Sequence, residues 1–244
     1  MPYKIINRFN FFYSVLLIFL FLPEFRASAQ PNSGEPLHVI IKYKDYRLQA
    51  RKSPGKEMRE LKSIIPGIRY DLRYAGTNNF THKMLYPRST KVAFLRAPAA
   101  YALFNIQDEL KNKGLGLKIF DAYRPYSTTV KFWELVRDER YVANPAKGSG
   151  HNRGIAVDLT LINLSNGKEI DMGTGFDNFS DTAHHAFKNL AKEILFNRQM
   201  LKNVMEKNGF KAYENEWWHY SWQDTTTYEV LDIPFRKLKK VIKE

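Results

Sequence analysis

The sequence predicts an α+β fold with a mainly antiparallel central sheet flanked by helices. Three observations lead there. Strand-like and helix-like stretches are mixed without regular strand–helix–strand alternation, which disfavours a parallel sheet with crossover helices. Stretches such as "GLKIFDAYRP" and "WWHYSW" alternate with the period of two that marks strands. Others repeat apolar residues at helical spacing and stop at glycine.

The chain opens with Lys4 and Arg8, an apolar run from Phe11 to Leu22, and the small residues Ala27-Ser28-Ala29. This is the pattern of a secretory signal peptide, residues 1–29, cut after Ala29; the apolar run is too short to span a bilayer. An uncleaved anchor or a buried helix is the competing reading. With no cysteine after the run, a lipoprotein anchor is excluded. The expected address is outside the cytoplasm, periplasmic or secreted, with no stable membrane insertion after cleavage.

Residues 30–62 read as an N-terminal extension with little packing, strand-like only from Leu37 to Tyr43. Residues 63–244 form one domain without internal repeats. "IRYDLRYAGTNNFTHKMLY" (Ile68 to Tyr86) reads as a strand passing into a loop. From Pro98 to Lys113, Ala99, Leu103, Ile106 and Leu110 recur at helical spacing and Gly114 supplies the stop. The strand of "GLKIFDAYRP" follows, then a helix from Thr128 to about Arg140 capped by Ser127. From Gly154 a buried strand runs with Ile155, Val157, Leu159 and Leu161 on one face and Ala156, Asp158, Thr160 and Ile162 on the other. Asn166-Gly167 marks a turn. Residues 183–208 suggest two helices broken near Asn197, with Gly209 as the stop. In the last strand Trp217, His219 and Ser221 share one face, opposite Trp218, Tyr220 and Trp222.

Composition narrows the function. The chain carries 38 Lys and Arg against 25 Asp and Glu, a net +13. Removing Lys4, Arg8, Arg26 and Glu24 with the signal leaves 35 against 24, or +11. Such a charge suits loose attraction to anionic envelope polymers. Nucleic acid is not an expected partner, because no recognition motif appears. Without cysteine there are no disulfides or thiolate zinc sites, so any metal is held by His, Asp or Glu.

"SGHNRGIAVDLTL" (Ser149 to Leu161) places an aspartate inside an apolar strand, where an ionised carboxylate is costly unless paired or holding a cation. Asp158, His151 and His219 together make a complete protein ligand set for catalytic zinc, leaving a fourth position for water. Each alone has a plainer reading: a surface or core histidine, or a strand aspartate bonded to a turn. In "ENEWWH", Glu216 lies three residues before His219. On a flat strand the two would face opposite ways, so Glu216 shares the site only from a turn or a bulge. There its carboxylate could take a proton from the water.

These motifs carry a resemblance. "SGHNRGIAVDLTL" resembles the S-x-H-x-x-G-x-A-x-D motif of zinc D,D-peptidases, and "EWWHY" their E-x-x-H motif. "DLRYAGTNNFT", "DAYRP", "MGTGFDNF" followed by "HH", and "NGFKAYENEWWHY" are similar to the D-alanyl-D-alanine dipeptidase branch known from vancomycin resistance, in that branch's order. The resemblance runs from Ile64 to Trp222. It implies a hedgehog/D,D-peptidase-like zinc fold, one Zn2+ on His151, Asp158 and His219, Glu216 as general base, and Arg124 facing the developing oxyanion. It also implies substrate contacts by Tyr74, Asp121, Ser149 and Asp177, with Asp177 meeting the substrate ammonium; Asp121 alternatively orients Arg124. His184 and His185 match the branch in a structural capacity. The implied substrate is the free dipeptide D-Ala-D-Ala. Resistance members are intracellular, so an exported chain points instead to salvage of cell-wall dipeptide. A D,D-carboxypeptidase trimming peptidoglycan stems and a non-catalytic peptidoglycan-binding module are the alternatives. The module would lose a ligand or the base, and here all five residues are present.

Overall fold

Residues 36–239 are those described in the computed structural model, so the expected signal segment lies outside the described residues. In chain order the elements are β1 (Val39–Ile40), α1 (Tyr43–Lys52), β2 (Met58–Glu60), α2 (Leu61–Ile64), β3 (Arg69–Tyr70), β4 (Phe94–Arg96), α3 (Ala97–Lys111), β5 (Leu115–Asp121), α4 (Tyr126–Val136), α5 (Gly150–Arg153), β6 (Ala156–Asn163), α6 (Lys192–Lys207), β7 (Phe210–Tyr213), β8 (Glu216–Trp222), β9 (Val230–Leu231) and α7 (Phe235–Leu238).

The main sheet has the order β3-β5-β6-β8-β7. Only the short β3 pairs in parallel; the other three pairings are antiparallel, as the mixed element pattern predicts. β6 is central and buried on both faces, from Ala156 to Ile162. Val157, Leu159 and Leu161 are completely buried, each such side chain contributing about 1.5–3 kcal/mol. Helix α3 buries Leu103, Ile106 and Leu110 beside β5, and its buried Gln107 accepts the Leu117 N–H at 2.8 Å. On the other flank α6 packs Leu201, Val204 and Met205 near β7 and β8.

Four expectations need correction. The segment 36–62 is not loosely packed: β1 pairs with β9 in parallel, and Tyr46 of α1 is fully buried with its hydroxyl accepting the Met58 N–H at 2.8 Å. Arg96 ties this segment in, donating to the Lys56 carbonyl within it (2.5 Å) and to the carbonyls of Arg153 (2.7 Å) and Glu229 (3.1 Å) outside it. The signal missed was long-range, since a polar segment gains a core only from what covers it. Second, α4 starts at Tyr126 and ends at Val136, with Arg137 left-handed at φ 52°. Ser127 does not cap it; its N–H and hydroxyl both donate to Asp232.

Third, a single helix, α6, covers Asn197, with an isolated 3-10 turn at Asp181–Ala183 before it. Asn197 reads as a breaker because its amide competes for local backbone. Here it instead donates to the Asp171 carbonyl at 3.0 Å and holds a distant loop. Fourth, β6 starts at Ala156, because Ser149 to Arg153 coil into α5 and Gly154 ends that turn at φ 71°. A Cβ on Gly154 would sit 2.7 Å from the tip of the Met58 side chain, which would have to shift, so it is the left-handed conformation that calls for glycine.

Candidate active site

The site is assembled from three neighbouring strands and one helical turn. Pairing sets Asp121 of β5 opposite Asp158 of β6, and Asp158 opposite His219 of β8. Turn α5 supplies His151. Its geometry comes from a capping box: Ser149 Oγ accepts the Asn152 N–H at 3.1 Å, and the Ser149 N–H donates to Asn152 Oδ1 at 3.0 Å. The Asn152 amide also donates to the Arg124 carbonyl (2.9 Å) and to Thr129 Oγ1 (2.8 Å). The Arg124 N–H donates in turn to the His151 carbonyl at 3.1 Å. Thus α5 and the "DAYRP" segment are locked together.

His151 Nδ1 lies 2.7 Å from the Ala122 carbonyl and donates to it, which leaves Nε2 as a bare lone pair. That Nε2 is 3.3 Å from His219 Nδ1 and 3.4 Å from Asp158 Oδ2; His219 Nδ1 is 2.9 Å from Asp158 Oδ1. One ligand atom from each residue fits within 4.8 Å of the other two. Tetrahedral zinc with bonds of about 2.0–2.2 Å spaces its ligands about 3.3–3.6 Å apart, so the donor set fits such an ion. Two imidazoles and a buried carboxylate converging on one point are also the N/O chemistry zinc takes. Burial would raise the Asp158 pKa, but His151 and His219 hold it below the usual carboxylate range. Burial lowers that of His219, keeping the ring neutral and able to ligate.

Glu216 reaches the cluster through an irregularity. β7 and β8 pair Ala212 with Tyr220 and then Tyr213 with Glu216, a register break that carries the Glu216 carboxylate to 3.8 Å from His219 Nδ1. The bulge required by the odd spacing is therefore present. Burial, then the charges of Asp158 and Asp177, raises the Glu216 pKa well above its ordinary value.

Arg124 lies against the same cluster. Its Nε and Nη2 donate to Asp121 Oδ2 at 2.9 and 2.8 Å, and Nη2 is 3.8 Å from Asp158 Oδ2. The guanidinium stacks 4.5 Å from the Phe132 ring centre and 5.2 Å from that of Tyr74. Burial works against the charge, but Asp121 and its neighbours keep Arg124 protonated at any working pH. Asp121 does not line the cavity: it is 1% exposed, and its second oxygen accepts the Tyr86 hydroxyl at 2.7 Å. Of the two readings of Asp121, the structure supports orientation of Arg124 over contact with substrate.

The cavity itself measures ≈ 290 Å³ and is lined by Tyr74, Arg124, Ser149, His151, Asp158, Asp177, Glu216 and His219, with an aromatic wall of Phe80, Phe132, Tyr141, Phe179, Tyr213 and Trp218. Asp177 has a left-handed backbone at φ 62°. Its oxygens accept the Tyr74 hydroxyl (3.0 Å) and the Phe80 N–H (3.2 Å). Burial pushes its pKa up to about 7. The aromatic wall was missed in the sequence. Strict alternation assigns Trp218 to the face opposite His219, and only the register break brings both to one cavity. Tyr141 stacks on Phe179 with ring centres 4.6 Å apart, a contact between two loops with no sequence signal. His184 and His185 lie outside this cavity; the His185 N–H donates to the Glu214 carbonyl.

Comparison with known proteins agrees with this geometry. A family model described as D-ala-D-ala dipeptidase matches residues 55–240. The D-alanyl-D-alanine dipeptidase of Escherichia coli (strain K12) is 33% identical over 183 residues, covering 75% of this chain and 93% of that protein. The protein of the same name from Enterococcus faecalis (strain ATCC 700802 / V583) is 33% identical over 178 residues, 66% of this chain and 88% of its own. Among solved structures, a vancomycin-resistance D,D-pentapeptidase in complex with Zn(II) aligns with 64% of this chain and 82% of its own at 14% identity and a TM-score of 0.37, a likeness too loose to add to the fold.

Proposed function

The chain belongs to the D-Ala-D-Ala dipeptidase family, and on that premise we propose that its cavity hydrolyses the free dipeptide D-Ala-D-Ala to two D-Ala, with one zinc ion held by His151, Asp158 and His219. The observation that carries this reading is the pairing, in one small cavity, of that cluster and Arg124 with the buried carboxylate of Asp177. A free dipeptide presents an ammonium close to its scissile bond, and Asp177 is the group to meet it.

Zinc, when bound, supplies Lewis-acid polarisation of the attacking water and the scissile carbonyl. Glu216, whose burial raises its proton affinity, accepts the water's proton as the oxygen bonds the carbonyl carbon. The same carboxyl then gives that proton to the departing amine as the C–N bond breaks. Arg124, held by Asp121, faces the negative charge that gathers on the carbonyl oxygen, an interaction stronger in the transition state than in the ground state. Asp121 is thus a positioning residue. Tyr74 orients Asp177 through its hydroxyl. Ser149 accepts the Asn152 N–H with its oxygen, which leaves the hydroxyl proton for substrate.

Export and a role in cell-wall peptide salvage belong to the same proposal. They are supported by Lys4, Arg8, the Phe11–Leu22 run and Ala27-Ser28-Ala29. The deciding experiment is product analysis of the zinc-loaded protein on D-Ala-D-Ala, L-Ala-L-Ala, N-acetyl-D-Ala-D-Ala and a pentapeptide ending in D-Ala-D-Ala. The first should be cleaved to two D-Ala and the others far more slowly. Comparable kcat/KM on the free dipeptide and the pentapeptide would replace this reading with a carboxypeptidase.

A further inference from the structure

A second concave site lies apart from the hydrolytic cavity and shares no lining residue with it. It is a groove of ≈ 530 Å³ between the loop 85–92, the start of α4 and the C-terminal stretch 232–239. That volume falls within the range of about 300–1,000 Å³ found for ligand sites. Two contacts fix its walls relative to one another. The rings of Tyr86 and Phe235 meet edge-on with centres 4.9 Å apart. Asp232 Oδ1 accepts the Ser127 N–H at 3.0 Å and the Ser127 hydroxyl at 2.8 Å. A groove whose walls are already tied together loses little entropy when something enters it.

The lining combines open hydrocarbon with exposed positive charge. Leu85 and Val92 are half-buried and Pro87 and Pro234 exposed, so their apolar surface is within reach of a ligand. Tyr86 turns its hydroxyl away to Asp121 at 2.7 Å and contributes only its ring. Lys91, Lys131, Arg236 and Lys239 also line the groove, all four are exposed, and none forms an ion pair among the described residues. Asp232 is the one acid in the lining, and one of its oxygens is held by Ser127. Like charges gathered around one concavity repel each other and raise the local concentration of anions.

We propose that this groove binds an acidic peptide segment, with carboxylates against the four cations and short apolar side chains against Leu85, Val92 and the prolines. Charge complementarity is the first support, since clusters of basic side chains read acidic motifs. The second is the hydrocarbon in a concave site, which suits a chain carrying both carboxylates and methyl groups. A flat anionic lipid surface would touch such a site only at its rim. The groove does not depend on the dipeptidase reading.

The test is fluorescence anisotropy of a labelled, end-blocked peptide of alternating alanine and glutamate, titrated with the full chain at low salt. Saturable binding is expected, and it should weaken as salt rises because the charges are exposed. The same peptide with glutamine for glutamate should bind about tenfold more weakly. Lys131→Gln and Arg236→Gln should each weaken binding by about two- to fivefold, the contribution of one exposed charge pair. Lys211→Gln, on β7, removes the same charge elsewhere and should change nothing. Ser89→Trp sets a ring in the groove without altering its charge and should also lose binding. All of these side chains are exposed, so the variants should fold as the parent does. Equal weakening by Lys211→Gln, full affinity in Ser89→Trp, or equal binding of the glutamine peptide would overturn the proposal. So would the absence of saturable peptide binding, whether or not the protein adsorbs to vesicles containing anionic lipid.

Discussion

Replacing Asp177 by Asn isolates the energetic consequence of keeping a carboxylate buried for the substrate. An unfolded aspartate titrates near 3.9. In the fold, burial pushes Asp177 up to about 7, against the help of the Phe80 N–H and the Tyr74 hydroxyl. A raised carboxyl pKa destabilises the folded protein once the group ionises. The penalty is absent below about pH 3.9, grows by about 1.36 kcal/mol per pH unit, and is complete above about pH 7, for a total of about 4 kcal/mol. Asn can accept the Phe80 N–H with Oδ1 and donate from Nδ2 to the Tyr74 hydroxyl oxygen, but the buried hydroxyl proton then loses its acceptor, which costs about 1–3 kcal/mol at every pH. The variant should therefore be less stable than the parent near pH 4, where the penalty has barely begun, and more stable, by about 1–3 kcal/mol, near pH 8. Urea unfolding of metal-free protein at both pH values measures this. The same substitution should slow hydrolysis of D-Ala-D-Ala while sparing the slow reaction on its N-acetyl form. If parent and variant share one pH dependence of stability, Asp177 is not a buried carboxylate with a raised pKa and the argument fails.

Three further outcomes follow from the site. His151→Ala, Asp158→Ala and His219→Ala should each lose stoichiometric zinc by metal analysis together with activity, and full occupancy in all three would remove the ligand assignment. Glu216→Gln should keep its zinc while kcat falls by about 10²–10⁴-fold, and Arg124→Ala should keep it while losing about 2.7–4 kcal/mol of transition-state stabilisation; loss of metal from the first, or an unchanged rate in the second, would contradict these roles. Gly154→Ala combines a strained φ of 71° with a Cβ 2.7 Å from Met58, so Tm should fall by an amount worth about 1–3 kcal/mol; an unchanged Tm would show that this turn relaxes freely.

The local elements were legible where the signal is itself local. The spacing of Ala99, Leu103, Ile106 and Leu110 before Gly114 located α3 to within two residues, because side chains 3.6 residues apart must share a buried face. Alternation found β5, β6 and β8, and the odd interval between Glu216 and His219 demanded the bulge that the β7–β8 register shows. Asn197 misled for the complementary reason: its amide is satisfied by Asp171, a partner 26 residues away that no window around α6 contains.

By itself the sequence determined the chemistry on offer: a thiol-free ligand set, a glycine where the chain turns left-handed, and a carboxylate inside an apolar strand that needed a cation or a partner. What only the tertiary structure decided was which of those groups meet. Strand pairing aligned Asp121, Asp158 and His219; the capping box aimed His151 at them; burial raised Glu216 and Asp177 while Asp121 was turned away to hold Arg124. The physical reason is range. Helix and strand periodicities are set by neighbours along the chain, whereas register, desolvation and electrostatic coupling depend on groups brought together from distant positions, and these exist only once the sheet has formed.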